Sequence, residues 1–222
     1  MVKAIHFFKR KPGMDVDSFA ACWRTRHAAI VKRVPGVRRY VQSLPLGSIY
    51  DGVEPACDGV AELWYDDSAA MRRIADLPES RAALEDAANF MDTAGAGFLI
   101  AEEYIAKDQP ADPSMEKWIV FLKRKPGLEV EAFQKYWREQ HGPLAATLPA
   151  TRRYVQSHVL ASAYRGGKQP RYDGVAAVWI ENSDAMLRAV GTPEYEAIRA
   201  DEPNFLDQAS FQLIITHEFA VI

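Results

Sequence analysis

Cysteine is scarce in this sequence, with only Cys22 and Cys57 among 222 residues. Neither belongs to a CxxC pair or a Cys/His ligand spacing, which excludes a disulfide framework and a zinc site and leaves two reduced, partly buried thiols. Long apolar runs are missing too. None approaches the roughly 18 residues a membrane span needs, and the apolar part of the opening Met1-Val-Lys-Ala-Ile-His-Phe-Phe8 is too short for a signal peptide. The expectation is a cytoplasmic protein without a membrane partner. Charge of one sign is also lacking: 27 Lys and Arg against 30 Asp and Glu, a net charge of −3, argue against a nucleic-acid partner. Glu102-Glu103 and His217-Glu218 invite a metal, but no set of three or four ligands recurs at fixed spacing, so neither metal nor cofactor is expected. What is present is 48% hydrophobic and 26% charged, enough for a sizeable core in one or two domains.

The chain is an internal repeat. Lys9-Arg-Lys-Pro-Gly13 recurs as Lys123-Arg-Lys-Pro-Gly127, Arg38-Arg-Tyr-Val-Gln-Ser43 as Arg152-Arg-Tyr-Val-Gln-Ser157, and Asp58-Gly-Val60 as Asp173-Gly-Val175. The offset is 114 residues, then 115, a register kept by Trp64 with Trp179 and by Asn89-Phe90 with Asn204-Phe205. Two equivalent domains follow, 1–106 and 115–222, joined by an extended linker at 107–114 that carries two prolines.

Within each unit the pattern reads strand, helix, strand, strand, helix, strand. The runs 4–9 and 118–123 are β-rich and end in Lys-Pro-Gly turns; Asp15 or Glu129 then opens a helix that runs to His27 or His141. Gly142-Pro143 should break or restart the second helix, whereas Ala28-Ala29 lets the first continue. Next come a strand around Tyr40 or Tyr154, a loop of about 14 residues, and a strand over 59–65 or 174–180. Ser68 and Ser183 are candidate caps of a second helix, and 98–105 and 213–221 close the units. The expected fold class is α+β, two tandem ferredoxin-like βαββαβ plaits.

Strand alternation assigns faces. Val37, Arg39 and Val41 share one side and are expected against the helices, which leaves Arg38, Tyr40 and Gln42 on the other. In the first strand the side opposite Ile5 and Phe7 carries His6 and Phe8, and its equivalent carries Trp118 and Val120. That face is apolar as well and needs cover. The economical solution packs the plaits sheet to sheet into one intramolecular α/β barrel, with a ligand cavity lined by Tyr, Gln, Trp and His. A chain that pairs its own sheets is expected to be a monomer, with a homodimer allowed.

The chemistry gathers on two matching stripes. Phe133, Trp137, His141 and Leu144 share one helix face, as do Phe19, Trp23, His27 and Ile30, so each imidazole lies towards the core. One such histidine reads as a satisfied core residue; two in register point to a site. Histidine is a suitable general acid or base near neutral pH, and a phenol facing it can hydrogen-bond an enolate oxygen. His27 and His141 are therefore candidate acids or bases, with Tyr40 and Tyr154 on the strand face assigned to the cavity. Arg38 and Arg152 share the tyrosines' strand face and could clamp a carboxylate, or be solvated strand-end residues. Gln42, Gln156, Trp64, Trp179, His6 and Trp118 are candidate walls, Tyr50 and Tyr164 candidate loop closures, His158, which has Leu44 at its place in the first unit, a candidate for an asymmetric pocket, and His217 a further binding candidate. Asp58 and Asp173, each before glycine at a strand start, are explained by turn chemistry. His141, before Gly142-Pro143, is expected at an exposed helix end and to matter more than His27.

Phe-x-x-x-Trp-Arg-x-x-His followed by Gly-Pro, then Arg-Arg-Tyr, then Tyr-Asp-Gly-Val with Trp on the same strand, resembles the EthD family of the dimeric α/β-barrel superfamily, in two copies covering almost the whole chain. The resemblance implies plaits that pair into a barrel, with relatives among muconolactone-type isomerases, polyketide dehydratases or cyclases and cofactor-free monooxygenases. Similar isomerases use a helix-end histidine and a strand-two tyrosine, which match His27 with Tyr40 and His141 with Tyr154. The first unit departs from the pattern at Ala28-Ala29. The reading is a cofactor-independent isomerase that moves a proton on a small unsaturated carboxylated metabolite of aromatic ring cleavage. The alternatives are a cofactor-free monooxygenase or a dehydratase/cyclase on a phenolic or polyketide substrate, and a non-enzymatic small-ligand barrel.

Overall fold

The computed structural model describes residues 1–52 and 54–222. β1 (Val2–Phe8) ends at a turn where Gly13 takes φ 82°, a conformation that glycine adopts without steric cost. Asp15 then caps α1 (Val16–Cys22), its carboxylate accepting from the Ser18 amide at 2.8 Å. The helix widens into a π turn over Trp23–His27 and tightens again as α2 (Ala28–Val31). β2 (Arg39–Pro45), β3 (Gly59–Tyr65), α3 (Ser68–Ile74), α4 (Pro78–Ala87) and β4 (Gly97–Asp108) complete the first repeat. The second repeats the order: β5 (Glu116–Leu122), α5 (Val130–Tyr136), a π turn over Trp137–His141, α6 (Gly142–Ala146), β6 (Thr151–Val159), β7 (Gly174–Ile180), α7 (Ser183–Ala189), α8 (Pro193–Asp201) and β8 (Gln212–Ala220). The βαββαβ order is thus present twice. All eight strands are hydrogen-bonded as one closed antiparallel barrel, β1-β3-β2-β8-β5-β7-β6-β4.

Three local expectations are corrected. At Gly142-Pro143 the helix restarts, with α6 opening at Gly142 and proline in its first turn, but His141 is the junction between the π turn and α6, not an exposed C-terminus. His27 occupies the same junction, so the two helices are alike. The caps of α3 and α7 are Asp67 and Asn182, one residue before the serines, each accepting the amide three residues on.

The chain forms two compact units that cut across the repeats. One is Met1–Ile100 with Glu218–Ile222, the other Ala101–His217. In the first, the Val221 amide donates to the Tyr40 carbonyl at 2.8 Å, so the end of the chain extends a sheet ordered β1-β3-β2. In the second, the Ala101–Asp108 stretch of β4 pairs with β6, from Ala101 opposite Val159 to Asp108 opposite Arg153, and β4 therefore enters the 107–114 stretch. β6 pairs on with β7, β7 with β5, and β5 with β8.

Each unit buries an aromatic cluster between its sheet and its helices: Phe8, Phe19, Trp23, Tyr40 and Phe90 in one, Phe133, Trp137, Tyr154 and Phe205 in the other. The strand faces are therefore the reverse of the sequence-based assignment. His6, Phe8, Tyr40 and Ala61 meet the helices, whereas Ile5, Val41 and Glu62, one residue out of phase, occupy the other side. The physical reason is that the bulk of Trp23 and Phe19 needs opposite it a side holding a small residue and a hydrogen-bonding phenol. Gly59 serves the same contact, since a Cβ there would stand 2.7 Å from the Trp23 ring, and one at Gly174 would overlap Trp137.

Candidate active site

The site grows from the π turn. With i+5 rather than i+4 hydrogen bonding, the Trp137 carbonyl accepts from the Gly142 amide and also from Gln156 Nε2 of β6 at 2.9 Å. The Trp23 carbonyl does the same with Ala28 and with Gln42 at 2.9 Å. The turn thereby fixes each tryptophan against the neighbouring strand, and its indole reaches the strand tyrosine: Trp137 Nε1 donates to Tyr154 Oη at 2.7 Å and Trp23 Nε1 to Tyr40 Oη at 3.0 Å. Gln42 Nε2 donates to Tyr40 Oη at 2.9 Å, and Gln156 lies 3.4 Å from Tyr154 Oη. Each phenol oxygen accepts twice, so its own hydrogen is directed elsewhere. Burial pushes the Tyr40 phenol up to about 12 and Tyr154 further in the same direction.

One turn on, each histidine meets a carboxylate from the second helix of its unit. His141 Nδ1 lies 2.9 Å from Asp201 Oδ2 and His27 Nδ1 3.0 Å from Asp86 Oδ2. Burial lowers both imidazole pKa values, partly offset by the carboxylates, so both rings are neutral at pH 7 with Nδ1–H donated and Nε2 unprotonated. The supports differ. Burial opposes ionisation of Asp201, but hydrogen bonds from Tyr136, Asn204 and His141 hold its pKa below the usual carboxylate value; Tyr136 Oη donates at 2.6 Å. Asp86 has the equivalent donor, Asn89 at 3.2 Å, but takes the Arg26 guanidinium at 2.8 Å where Asp201 has Tyr136.

Each pair lines a cavity between the sheet and helices of its own unit, not on the opposite strand face. In the second unit the volume is about 460 Å³, with Trp118, Val120, Trp137, His141, Tyr154 and Phe205 in the wall. In the first it is about 260 Å³, with His6, Phe8, Trp23, His27, Tyr40 and Phe90. Both are mainly apolar, so the His–Asp pair and the tyrosine stand in surroundings that strengthen their electrostatics.

Of the sixteen expected site residues, His27, Tyr40 and His6 meet in one cavity and His141, Tyr154 and Trp118 in the other. The 114-residue offset pairs His6 with Val120, not with Trp118. Gln42 and Gln156 are fully buried behind the tyrosines as supports rather than walls. Trp64 and Trp179 sit on the other strand face, where Arg39 and Arg153 lie over their rings. Arg38 is exposed and paired with Asp66 at 2.6 Å, and Arg152 is exposed as well, at the register shift between Thr151 and Arg153; neither lines either cavity. Tyr50 and Tyr164 donate to Asp58 and Asp173 at 2.7 Å, tying the long loops to buried carboxylates that also hold Arg10 and Arg124. These aspartates therefore clamp loops in addition to shaping turns. His217 is half-buried near Glu116 and lines neither cavity. His158 packs tilted against Trp137, ring centres 4.6 Å apart, reaches Gln156 Oε1 through Nε2 at 3.0 Å, and borders a separate groove with Glu102 and Arg138.

Sequence reasoning missed Asp86 and Asp201. A signal was available: the Asn-Phe landmark extends back to Asp86-x-x-Asn89-Phe90 and Asp201-x-x-Asn204-Phe205. Among the described residues no group of three or more His, Cys, Asp or Glu could hold a metal ion, and no helix is long and apolar enough to cross a membrane.

Repeated ferredoxin-like plaits closed into one barrel, each with a histidine at the end of its Trp-bearing turn, define a tandem α+β barrel protein. The EthD domain model matches residues 11–94 and again 125–209, so the chain belongs to the EthD family, in two copies. An anthrone oxidase-like protein superposes over 99% of this chain and 93% of its own with a TM-score of 0.68 at 10% identity. A provisionally assigned monooxygenase from Lactobacillus acidophilus NCFM does so over 100% and 94% with a TM-score of 0.59 at 9% identity. An EthD family protein from Bacillus halodurans C-125 is 26% identical over 47% of this chain and 99% of its own, with a TM-score of 0.40. No curated protein matches the sequence.

Proposed function

We propose that the chain is a cofactor-independent enzyme that moves a proton on a small unsaturated carbonyl compound, with His141 as base and Tyr154 as hydrogen-bond donor. The supporting observation is the pairing of His141 with Asp201 at 2.9 Å in a cavity wall that also carries Tyr154, a phenol whose oxygen is already engaged by Trp137. In this reading Nε2 of His141 removes a proton from a carbon next to, or conjugated with, the carbonyl. The electron pair passes to the carbonyl oxygen, where the Tyr154 O–H stabilises the enolate without ionising. The imidazolium, balanced by Asp201, then returns the proton to another carbon of the conjugated system, and the double bond has moved. His27, Asp86 and Tyr40 form the equivalent set in the smaller cavity.

The test is deuterium uptake. The protein is incubated in D₂O with enolisable probes, an anthrone, a tetralone and an unsaturated γ-lactone, while mass spectrometry reads C–H exchange and an electrode reads oxygen. Exchange without oxygen uptake is expected, falling by about 10²-fold or more in His141→Ala and at least tenfold in Tyr154→Phe. Oxygen consumption matched to product would replace this reading with a monooxygenase, and saturable binding with no exchange would make the cavity a container.

A further inference from the structure

Arg199 and Glu202 border the larger cavity. The 115-residue offset puts Leu84 and Ala87 at their places in the first unit, so the pair is a feature of one cavity alone. The Arg199 guanidinium uses a single nitrogen for the ion pair, with Nη1 2.7 Å from Glu202 Oε1 and 2.6 Å from Oε2. Nε and Nη2 have no partner among the described residues. The guanidinium carbon stands 5.8 Å above the ring of Phe211, which also lines the cavity. The arginine side chain is 44% exposed and the glutamate 9%, so Glu202 is the inner anchor and Arg199 lies at the mouth.

A guanidinium edge with free, coplanar N–H groups matches a carboxylate bidentately, and the Phe211 ring behind it shields one side from water. We propose that Arg199 is the carboxylate anchor of the second cavity, with Glu202 holding the guanidinium in place, so that the substrate carries a carboxylate at one end and its enolisable carbon towards His141. The inference rests on the proton-transfer reading of this cavity and names its substrate class. It moves the expected carboxylate clamp from Arg38 and Arg152 to a residue that borders the base. In the first cavity, with Leu84 there, an uncharged and smaller ligand is the match.

Calorimetry with 2-naphthoate and 2-naphthamide, equal in shape and different in charge, tests this on the full chain at pH 7. The wild type should prefer naphthoate by at least tenfold. Arg199→Leu should abolish the preference while leaving naphthamide unchanged, and Arg199→Lys, which keeps the charge without the fork, should keep part of it. Glu202→Gln should strengthen naphthoate several-fold, because it removes the competing anion. If both substitutions weaken both ligands equally, the pair is only structural and the inference fails. Binding of naphthamide with rejection of naphthoate overturns the anchor and leaves the proton-transfer reading standing. If neither ligand enters the wild type, the anchor falls, and deuterium exchange on the neutral probes decides the broader reading separately.

Discussion

At the scale of single residues, the two dyads share a geometry and differ in what surrounds the carboxylate. Asp86 ion-pairs with Arg26, whereas Asp201 takes a hydrogen bond from Tyr136, and each imidazole also feels one nearby guanidinium, Arg26 for His27 and Arg199 for His141. His141 lines the larger cavity, the one that Arg199 borders, so His141→Ala should lower exchange on carboxylated probes at least tenfold more than His27→Ala, the reverse order refuting this. His6 and His158 set the acid limit. Burial, then the neighbouring His27, lowers His6 to about 4; burial, then Arg138, lowers His158 to about 3. The unfolded chain titrates histidine near 6.5 and takes up these protons first, so their stability contribution is full above about pH 6.5 and declines as pH falls towards 4 and 3. His158→Leu copies Leu44 of the first unit, where Gln42 Oε1 has no partner among the described residues. At pH 7 the exchange should cost about 1 kcal/mol for the orphaned Gln156 oxygen. At pH 4 it should instead stabilise by up to about 2–3 kcal/mol, since no buried imidazole then resists protonation. Urea unfolding at the two pH values checks the crossover, and equal effects at both would refute it.

At the scale of elements, the repeat and its turn residues made the strand and helix order readable. Lys-Pro-Gly, Asp-Gly and the Phe-x-x-x-Trp stripe each mark a boundary through local chemistry. The direction of the strand faces was not readable. Alternation separates Ile5 and Phe7 from His6 and Phe8, but both pairs are apolar, so nothing local says which side the helices cover. The histidines were legible from matching helix stripes and the tyrosines from the repeated Arg-Arg-Tyr strand; the aspartates, about 60 residues from the histidines, were not, because contact between distant elements leaves no local period. The π turn was equally hidden, since its cause is the fit of Trp137 over Gly174 and under Gln156. That fit gives a prediction. Gly174→Ala sets a methyl group into the indole and should cost about 1–3 kcal/mol by overpacking. It should also break the Trp137–Tyr154 hydrogen bond, so indole fluorescence and exchange activity change together; an unperturbed Trp137 signal would show that the glycine is incidental.

At the scale of the molecule, the repeat read from sequence and the unit that packs are different lengths of chain. The repeat boundary follows the motifs, while the compact unit follows hydrogen bonds, and the strand that completes the second unit is encoded before its repeat begins. A fragment of residues 101–217 keeps β4 paired along β6 from Val159 to Arg153 and keeps the β5–β8 pairs from Lys117–Thr216 to Phe121–Gln212. A fragment of residues 115–222, cut where the sequence suggests, loses β4 and leaves the backbone N–H and C=O groups of that β6 edge without partners, a template for association. Expressed separately, 101–217 should be the more soluble and melt cooperatively, whereas 115–222 should aggregate or lack a cooperative transition. Amide exchange gives the residue-level form of the same expectation: protection along β6 should match that of the full chain in the longer-edged fragment and be lost in the other. If 115–222 folds as well as 101–217, then β4 contributes little to the second unit, and the boundary suggested by the repeats is also the boundary of stability.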